Sequence, residues 1–185
     1  TIEVDAAPPA PVREEQKRYR SDLPVAVIGM GPAGLFAALS LARAGLNVLL
    51  AERGKPVEER QKDVSAFYAS RVLNPASNIQ FGEGGAGAFS DGKLSLSYEV
   101  GGDLPTLIGE EFAQELIDYT DKIYLEFGAD PHVEGIYTGE DIKEIRKNAI
   151  HAGLKLVDCP IRHLGTEKAQ QLYLAIQNYL ADNGV

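Results

Sequence analysis

The sequence predicts an α/β fold organised around a short parallel βαβ unit. A continuous apolar run from Val25 to Ile28 is typical of a parallel strand that is buried on both faces. A glycine-rich turn follows it, and then an Ala/Leu-rich helix from Pro32 to Ala44, with Gly45 where a helix C-terminal glycine belongs. A second apolar run at 48–51 completes a strand–helix–strand unit.

The composition excludes several classes of partner. The chain has 185 residues, of which 44% are hydrophobic and 24% are charged, as in ordinary globular domains. Its 27 acidic and 18 basic residues give a formal charge of -9, which disfavours nucleic-acid backbones and anionic membrane surfaces. The single cysteine, Cys159, cannot form an internal disulfide, and this favours a reducing, cytoplasmic location.

Further elements are predicted on both sides of the second strand. Residues 1–22 are rich in proline and charge, as expected of a leader or linker, and residues 55–70 favour a helix. Asp91-Gly92 is a dipeptide typical of a β-hairpin turn. The alternation of Leu94, Leu96 and Tyr98 with polar residues predicts a strand after it.

The second half of the chain is predicted to be mostly helical. Apolar residues at helical spacing from Phe112 to Phe127 indicate one helix, which Gly128 can end. Thr138 and Asp141 resemble a capping box at the start of another helix. A short strand is predicted at Leu154 to Val157, and Thr166 with Glu167 can open the last helix.

These elements suggest three segments. Residues 1–22 form the leader or linker, 23–100 a binding core with a glycine-rich loop, and 101–185 a mostly helical part of the same or an inserted domain. A lone βαβ unit leaves a sheet edge and an apolar face uncovered. Because the chain also starts at Thr1 without Met and ends at Asn183-Gly184-Val185, we expect it to be a fragment of a longer protein.

The turn after the first strand carries a dinucleotide-binding pattern. Gly29-Met30-Gly31-Pro32-Ala33-Gly34 is G-x-G-x-x-G between a strand and a helix, which is the context that gives the pattern meaning. Gly29 permits the tight turn, Gly31 lets the backbone approach a pyrophosphate, and Gly34 lets helix and strand pack closely. Pro32 and Ala33 lie in the first helical turn, where free N–H groups and the helix dipole attract phosphate.

An acidic residue stands where a ribose would lie. Glu52 closes the second strand 23 residues after Gly29, near the interval of about 20 at which a carboxylate meets a ribose hydroxyl. A carboxylate there repels a 2′-phosphate, so NADP is disfavoured at this site. FAD and NAD both use this scaffold, and the remaining alternative is a glycine turn that binds nothing.

Four segments together resemble a known family. They are Gly29–Gly34, Glu52-Arg53-Gly54, residues 78–94 and Arg162–Thr166, and they resemble a bacterial family of uncharacterised FAD-dependent, NAD(FAD)-utilising dehydrogenases. That family belongs to the glutathione-reductase-like flavoprotein superfamily, and the resemblance covers roughly residues 19–185. It implies a Rossmann-like, glutathione-reductase-type FAD-binding domain with a flanking helical part. The domain would be incomplete, because family members are longer and complete the FAD site with a later Gly-Asp-type segment that is not found here.

The resemblance also implies a function and further site residues. The function is that of a flavin-dependent oxidoreductase that holds FAD, with NADH or NADPH as candidate electron donors and an unknown small-molecule substrate. Backbone N–H groups of the second glycine cluster can face phosphate or flavin oxygens, and Arg53 belongs to the flavoprotein form of the fingerprint. Lys93 can place positive charge near the flavin N1–C2=O edge. The added candidates are Gly84, Gly85, Ala86, Gly87, Ser90, Asp91 and Lys93.

Several alternatives stay open at this point. The second glycine cluster can instead be a flexible loop, with Lys93 in solvent. The whole chain can instead be an NAD-binding dehydrogenase domain, or a flavin-binding module without turnover. No catalytic side chain is assigned, and His132 and His151 lack partners at metal-ligand spacing. Arg162, beside His163, is a candidate for contact with a phosphate or a carboxylate.

Overall fold

The computed structural model describes residues 22–136 and 139–185. These residues form two compact units, one of residues 22–92 and 164–185 and the other of 93–136 and 139–163. The predicted segments 23–100 and 101–185 stay a prediction, and the predicted leader lies outside the described residues apart from Asp22. No helix in the described ranges is long and apolar enough to cross a bilayer.

The described residues form six helices, four strands and a short 3₁₀ turn. The helices are α1 Pro32–Arg43, α2 Val57–Ser70, α3 Leu104–Ile108, α4 Glu110–Glu126, α5 Glu140–His151 and α6 Thr166–Asp182. The strands are β1 Val25–Ile28, β2 Val48–Ala51, β3 Lys93–Ser95 and β4 Ile161–His163, and the 3₁₀ turn is Gly85–Phe89.

The predicted βαβ unit is confirmed. β1 and β2 pair in parallel, with Val25 opposite Val48 and Ile28 opposite Ala51, and α1 connects them. Helix α1 ends at Arg43, and Ala44 is its C-cap. The next residue, Gly45, has a φ of 83°, a backbone angle that residues with a side chain rarely adopt.

The expectation that the first strand is buried on both faces was wrong for the described residues. Ile28 is 81% exposed, and Leu49 on β2 is 59% exposed, whereas Val48 is 4% exposed. On α1, Leu35, Ala38 and Leu39 are fully buried. The described residues therefore cover one face of the two-stranded sheet and leave the other open.

The predicted helices are present, with bounds close to those expected. Helix α2 accounts for 55–70, and α4 accounts for the apolar repeat that ends at Gly128, whose φ is 103°. Helix α5 is also present, but the expected cap Thr138 lies outside the described residues. Helix α6 buries a face of four apolar residues and a tyrosine: Ala169, Leu172, Tyr173, Ile176 and Leu180.

Two strand predictions were wrong. Residues 154–157 form no regular strand, and the strand lies later, at β4. The dipeptide Asp91-Gly92 does not join two strands of a hairpin, because β3 pairs antiparallel with β4, Lys93 opposite His163. The Asp91 and Gly92 carbonyls instead accept the N–H groups of Gly165 and Leu164, at 3.1 and 2.9 Å.

Arg162 connects separate segments of the unit formed by residues 93–136 and 139–163 through hydrogen bonds. Its side chain is 4% exposed, and its Nε and Nη2 reach both carboxylate oxygens of Asp121 on α4, at 2.6 and 2.7 Å. Its Nη1 donates to the carbonyls of Asp130 and His132, at 2.6 and 3.3 Å. The hydrogen bonds that Arg162 donates to Asp121 raise the Arg162 pKa. Arg162 thus meets a carboxylate, as the sequence suggested, but one supplied by its own unit.

Removing the carboxylate of this pair should destabilise the protein strongly. Asp121→Ala leaves a buried guanidinium without its counter-ion, and we expect the free energy of unfolding to fall by about 3–5 kcal/mol. Equilibrium urea unfolding measures it. The matched control is Asp158→Ala, which breaks the exposed ion pair of Asp158 with Arg146 and should cost less than about 1 kcal/mol. Equal losses in the two variants would contradict a special role for Arg162.

Candidate functional site

The glycine-rich turn lies between the end of β1 and the start of α1. Gly29 has a φ of 102°, and its N–H donates to the carbonyl of Ala51 at the end of β2, at 2.7 Å. A Cβ added at Gly34 would overlap the carbonyl oxygen of Gly29. Both glycines are therefore required by the fold itself, Gly29 by its backbone angle and Gly34 by close packing.

Gly31 is different, because the fold alone does not require it. Its φ is -74°, which any residue adopts, and an added Cβ would meet no atom closer than the Cα of Gly85, at 3.9 Å. Space for a side chain exists there in the protein. A glycine at this position fits a site where another molecule approaches the backbone.

The N-terminus of α1 is suited to an anion. Leu35 makes the first intrahelical hydrogen bond, to the carbonyl of Gly31 at 3.0 Å, so the preceding N–H groups have no partner inside the helix. The N-cap makes no side-chain hydrogen bond, the first turn carries no acidic residue, and Pro32 occupies it without an N–H. The N–H groups of Ala33 and Gly34 and the helix dipole are therefore placed to attract a phosphate.

Glu52 holds this turn in place. Its Oε2 accepts the N–H of Met30 and its Oε1 accepts the N–H of Gly54, both at 2.7 Å. Burial raises the pKa of Glu52, but the N–H groups of Met30, Gly54 and Arg53 and the charge of Arg60 outweigh burial and hold the pKa below its ordinary value. A carboxylate has about four acceptor sites, so beside these three N–H groups it can still accept one ribose hydroxyl, and the arrangement is compatible with the predicted ribose contact.

The second glycine cluster packs directly on the first. The N–H of Gly84 donates to the carbonyl of Met30 at 2.9 Å, and the N–H of Gly85 donates to the carbonyl of Gly82 at 2.8 Å. These two N–H groups bind protein carbonyls instead of facing a ligand. A Cβ on Gly85 would lie 2.8 Å from the Cα of Gly31. Close packing is therefore one reason for glycine here, and cofactor contact by this cluster stays a prediction.

Helix α6 supports the same cluster. A Cβ on Gly87 would lie 2.6 Å from the hydroxyl oxygen of Tyr173 and 3.1 Å from Cγ of Pro32. Tyr173 is 5% exposed and also lies beside Gly84. The predicted site residues Gly84, Gly85 and Gly87 thus lie between the glycine-rich turn and α6, whereas Ala86 is exposed.

A buried arginine that the sequence analysis missed lies beneath the cluster. Arg60 on α2 is 0% exposed, and its Nη2 donates to the carbonyl of Gly85 at 3.0 Å. Its Nη1 donates to the carbonyl of Glu83 and its Nε to that of Asn78. Burial lowers the Arg60 pKa, against the opposing charges of Glu52 and Glu83. In sequence, Arg60 stands in a charged run that indicates a solvated helix face, so no local signal distinguishes it.

The other predicted site residues are more scattered. The Arg53 guanidinium lies 4.3 Å from the ring centroid of Phe81. The Ser90 hydroxyl donates to the carbonyl of Gly87 and accepts the N–H of Gly92, both at 3.1 Å, so it shapes the local turn. Lys93 is exposed at the start of β3, in the other unit. Contact of these residues with a cofactor stays a prediction.

The described residues contain no group of three His, Cys, Asp or Glu side chains able to hold a metal ion. Cys159 is a free, half-buried thiol. His151 is the last residue of α5, and His163 lies in β4.

Comparison with known proteins supports FAD as the cofactor of this chain. Residues 24–73, which include the turn and Glu52, match the family described as FAD binding domain. An uncharacterised protein of Clostridium beijerinckii is 58% identical over 69 residues, which are 37% of this chain and 13% of that protein. The glutamate synthase [NADPH] small chain of Halomonas elongata is 26% identical over 159 residues, which are 85% of this chain and 30% of that protein.

These comparisons agree with the geometry of the turn. The chain spans 13% and 30% of the length of these two relatives. The match over residues 24–73 supports FAD as the cofactor of this chain. The fit rests on the vacant space at Gly31, the uncapped N-terminus of α1 and the acceptor oxygens of Glu52.

The contribution of Glu52 to stability should depend on pH. Glu52→Gln replaces one accepting oxygen by a donor, and at neutral pH we expect it to lower the free energy of unfolding by about 1.5 kcal/mol. Because the folded-state pKa of Glu52 lies below the ordinary 4.5, this contribution is present above that value and is lost as the pH falls through the folded pKa. Urea unfolding at neutral pH and at about pH 3 should show the difference between wild type and variant shrinking. A constant difference would contradict the assignment, and Glu59→Gln, at an exposed position on α2, is the control.

Two alanine substitutions in the turn should separate cofactor binding from folding. Gly31→Ala adds a methyl group where the protein has room, so the apo protein should keep its stability within about 1 kcal/mol while FAD affinity falls about tenfold or more. Gly34→Ala forces a backbone clash and should destabilise the apo protein itself by about 1–3 kcal/mol. Flavin fluorescence titration and urea unfolding measure the two effects. Wild-type affinity in Gly31→Ala would show that no phosphate approaches this residue.

Proposed function

We propose that this chain is the FAD-binding portion of a flavin-dependent oxidoreductase, with a Rossmann-like, glutathione-reductase-type βαβ core. The observation that carries the proposal is the open N-terminus of α1 beside Gly31, a glycine that the fold alone does not require. The match of residues 24–73 to an FAD binding domain supports FAD as the ligand of that opening.

In the proposed complex, the chain binds the cofactor mainly through its backbone. The N–H groups of Gly31, Ala33 and Gly34 and the dipole of α1 hold the pyrophosphate. Glu52 accepts a ribose hydroxyl through its remaining lone pair, and the same carboxylate disfavours a cofactor that carries a 2′-phosphate. The overall charge of -9 does not prevent this, because the N–H donors act locally.

The remaining predicted residues have proposed positioning roles. The backbone of the second glycine cluster would lie against the cofactor. Bound FAD supplies the hydride chemistry, and the protein orients it and limits access of water. No side chain of this chain is proposed as a catalytic acid or base.

The electron donor and the setting are part of the proposal. NADH or NADPH is the proposed donor, and the name of the Halomonas relative, which includes NADPH, supports a nicotinamide donor. The final acceptor is proposed to be a small molecule. The single cysteine suits a reducing, cytoplasmic location.

The test is spectroscopic and uses purified protein that contains this chain. We expect a visible flavin absorption band that is lost under anaerobic addition of NADH or NADPH and returns with an electron acceptor. Gly31→Ala should contain much less flavin and serves as the matched control.

Two results would contradict the proposal in different ways. Binding of NAD without any flavin would indicate an NAD-binding dehydrogenase domain. Stoichiometric flavin that no nicotinamide reduces, and that is reoxidised by no acceptor after chemical reduction, would indicate a flavin-binding module without turnover.

A further inference from the structure

Arg60, the buried arginine beneath the second glycine cluster, donates hydrogen bonds to the backbone on both sides of one residue. Arg60 donates to the carbonyls of Glu83 and Gly85, which flank Gly84 on both sides. A third bond, from Nε to the carbonyl of Asn78 at 3.2 Å, and the ring of Phe89, 4.7 Å from the guanidinium carbon, complete its surroundings. The planar guanidinium can satisfy several acceptors at once, which an ammonium group cannot do with the same geometry.

Gly84 forms a hydrogen bond with the glycine-rich turn of residues 29–34, which is the proposed phosphate turn. Its N–H donates to the carbonyl of Met30, and the N–H of Met30 donates to Glu52, so both polar backbone groups of Met30 are bound. Met30 stands between Gly29 and Gly31 of the turn. The position of the turn therefore depends on Gly84, and the position of Gly84 depends on the carbonyls that Arg60 holds.

The backbone is fitted closely around the arginine. A Cβ on Gly82 would lie 2.8 Å from Nε of Arg60, and Gly82 has a φ of 112°. A Cβ on Gly85 would lie 2.8 Å from the Cα of Gly31. Glycines at these two positions let the segment lie between the guanidinium and the phosphate turn.

We infer that Arg60 is a positioning residue for FAD binding: by holding the carbonyls of Glu83 and Gly85, it sets Gly84 and Gly85 against Met30 and Gly31 and so fixes the phosphate turn before the cofactor arrives. The inference rests on the proposed FAD site. A turn already fixed in its binding geometry loses less conformational freedom on binding, and the affinity is correspondingly higher. Arg60 itself touches no cofactor in this role.

The alternative is that Arg60 only stabilises the fold. A purely structural residue would change the unfolding free energy and leave the affinity and spectrum of the folded protein unchanged. A positioning residue changes the affinity of molecules that are folded, and it changes the surroundings of the bound flavin. The two roles are therefore separated by measurements on folded protein.

The experiment compares three variants of the FAD-binding protein with the wild type. They are Arg60→Met, Arg60→Lys and the control Lys62→Met, which removes a positive charge from an exposed position on the same helix. FAD titration gives the dissociation constant, visible circular dichroism of the saturated protein reports the surroundings of the flavin, and urea unfolding gives the stability of the apo protein.

We expect a graded result. Arg60→Met should raise the dissociation constant about 10- to 100-fold, the range expected when charge-assisted hydrogen bonds are lost. Arg60→Lys should restore part of the affinity, because an ammonium group can still reach some of the carbonyls. The visible circular dichroism should differ from wild type in both Arg60 variants, and Lys62→Met should match wild type throughout.

A further variant keeps the test decisive if Arg60→Met does not fold. Gly85→Ala retains Arg60 but adds a methyl group 2.8 Å from the Cα of Gly31, so it should separate the two segments and lower FAD affinity as well. Folded Arg60→Lys and Gly85→Ala proteins with wild-type affinity and wild-type circular dichroism would overturn the inference and leave the FAD site in place. A wild-type protein that binds no FAD would overturn the proposed function itself.

Discussion

Fixing the peptide groups on both sides of Met30 is the constraint on which this site depends. The N–H of Met30 is bound by Glu52 at the end of β2, and its carbonyl is bound by Gly84 of the second glycine cluster. Three parts of the chain that are distant in sequence thus meet at Met30, in the glycine-rich turn of residues 29–34. A short turn with glycines on either side of Met30 has many accessible conformations, and these two hydrogen bonds select one of them.

The electrostatics of this region follow from the same arrangement. Glu52, Glu58 and Glu83 bring negative charge close together, and burial and the like charges of Glu58 and Glu52 raise the pKa of Glu83. Arg60 and backbone N–H groups act in the opposite direction on Glu83 and Glu52. The site therefore combines an acidic surface with locally positive backbone, which is how an acidic protein can attract a pyrophosphate.

Local patterns predicted the βαβ unit and the helices well, and failed where the partner is distant in sequence. The apolar runs, the helical repeat before Gly128 and the G-x-G-x-x-G turn each lie within a short window, so periodicity and spacing located them. The pairing of β3 with β4 joins residues 93–95 to 161–163, and nothing near Asp91-Gly92 distinguishes a local hairpin from this long connection. Arg60 was missed for the same reason, because its role is set by carbonyls 18 to 25 residues away. The glycines at 84 and 85 were assigned to ligand contact, whereas the structure shows that Gly85 also packs against the turn and that Gly84 has a positive φ and packs against Ala88.

The contrast between Gly31 and Gly34 has a consequence for how such a sequence can change over time. At Gly34 a substitution destabilises the fold, so a lineage that loses this glycine loses stability whether or not it still binds a ligand. At Gly31 a single methyl group fits the fold, and under the proposed function its effect falls on the approach of the cofactor. A descendant that no longer needs a cofactor can therefore become a stable, cofactor-free protein by one substitution at position 31. The residue at that position in a relative would show whether this substitution has occurred.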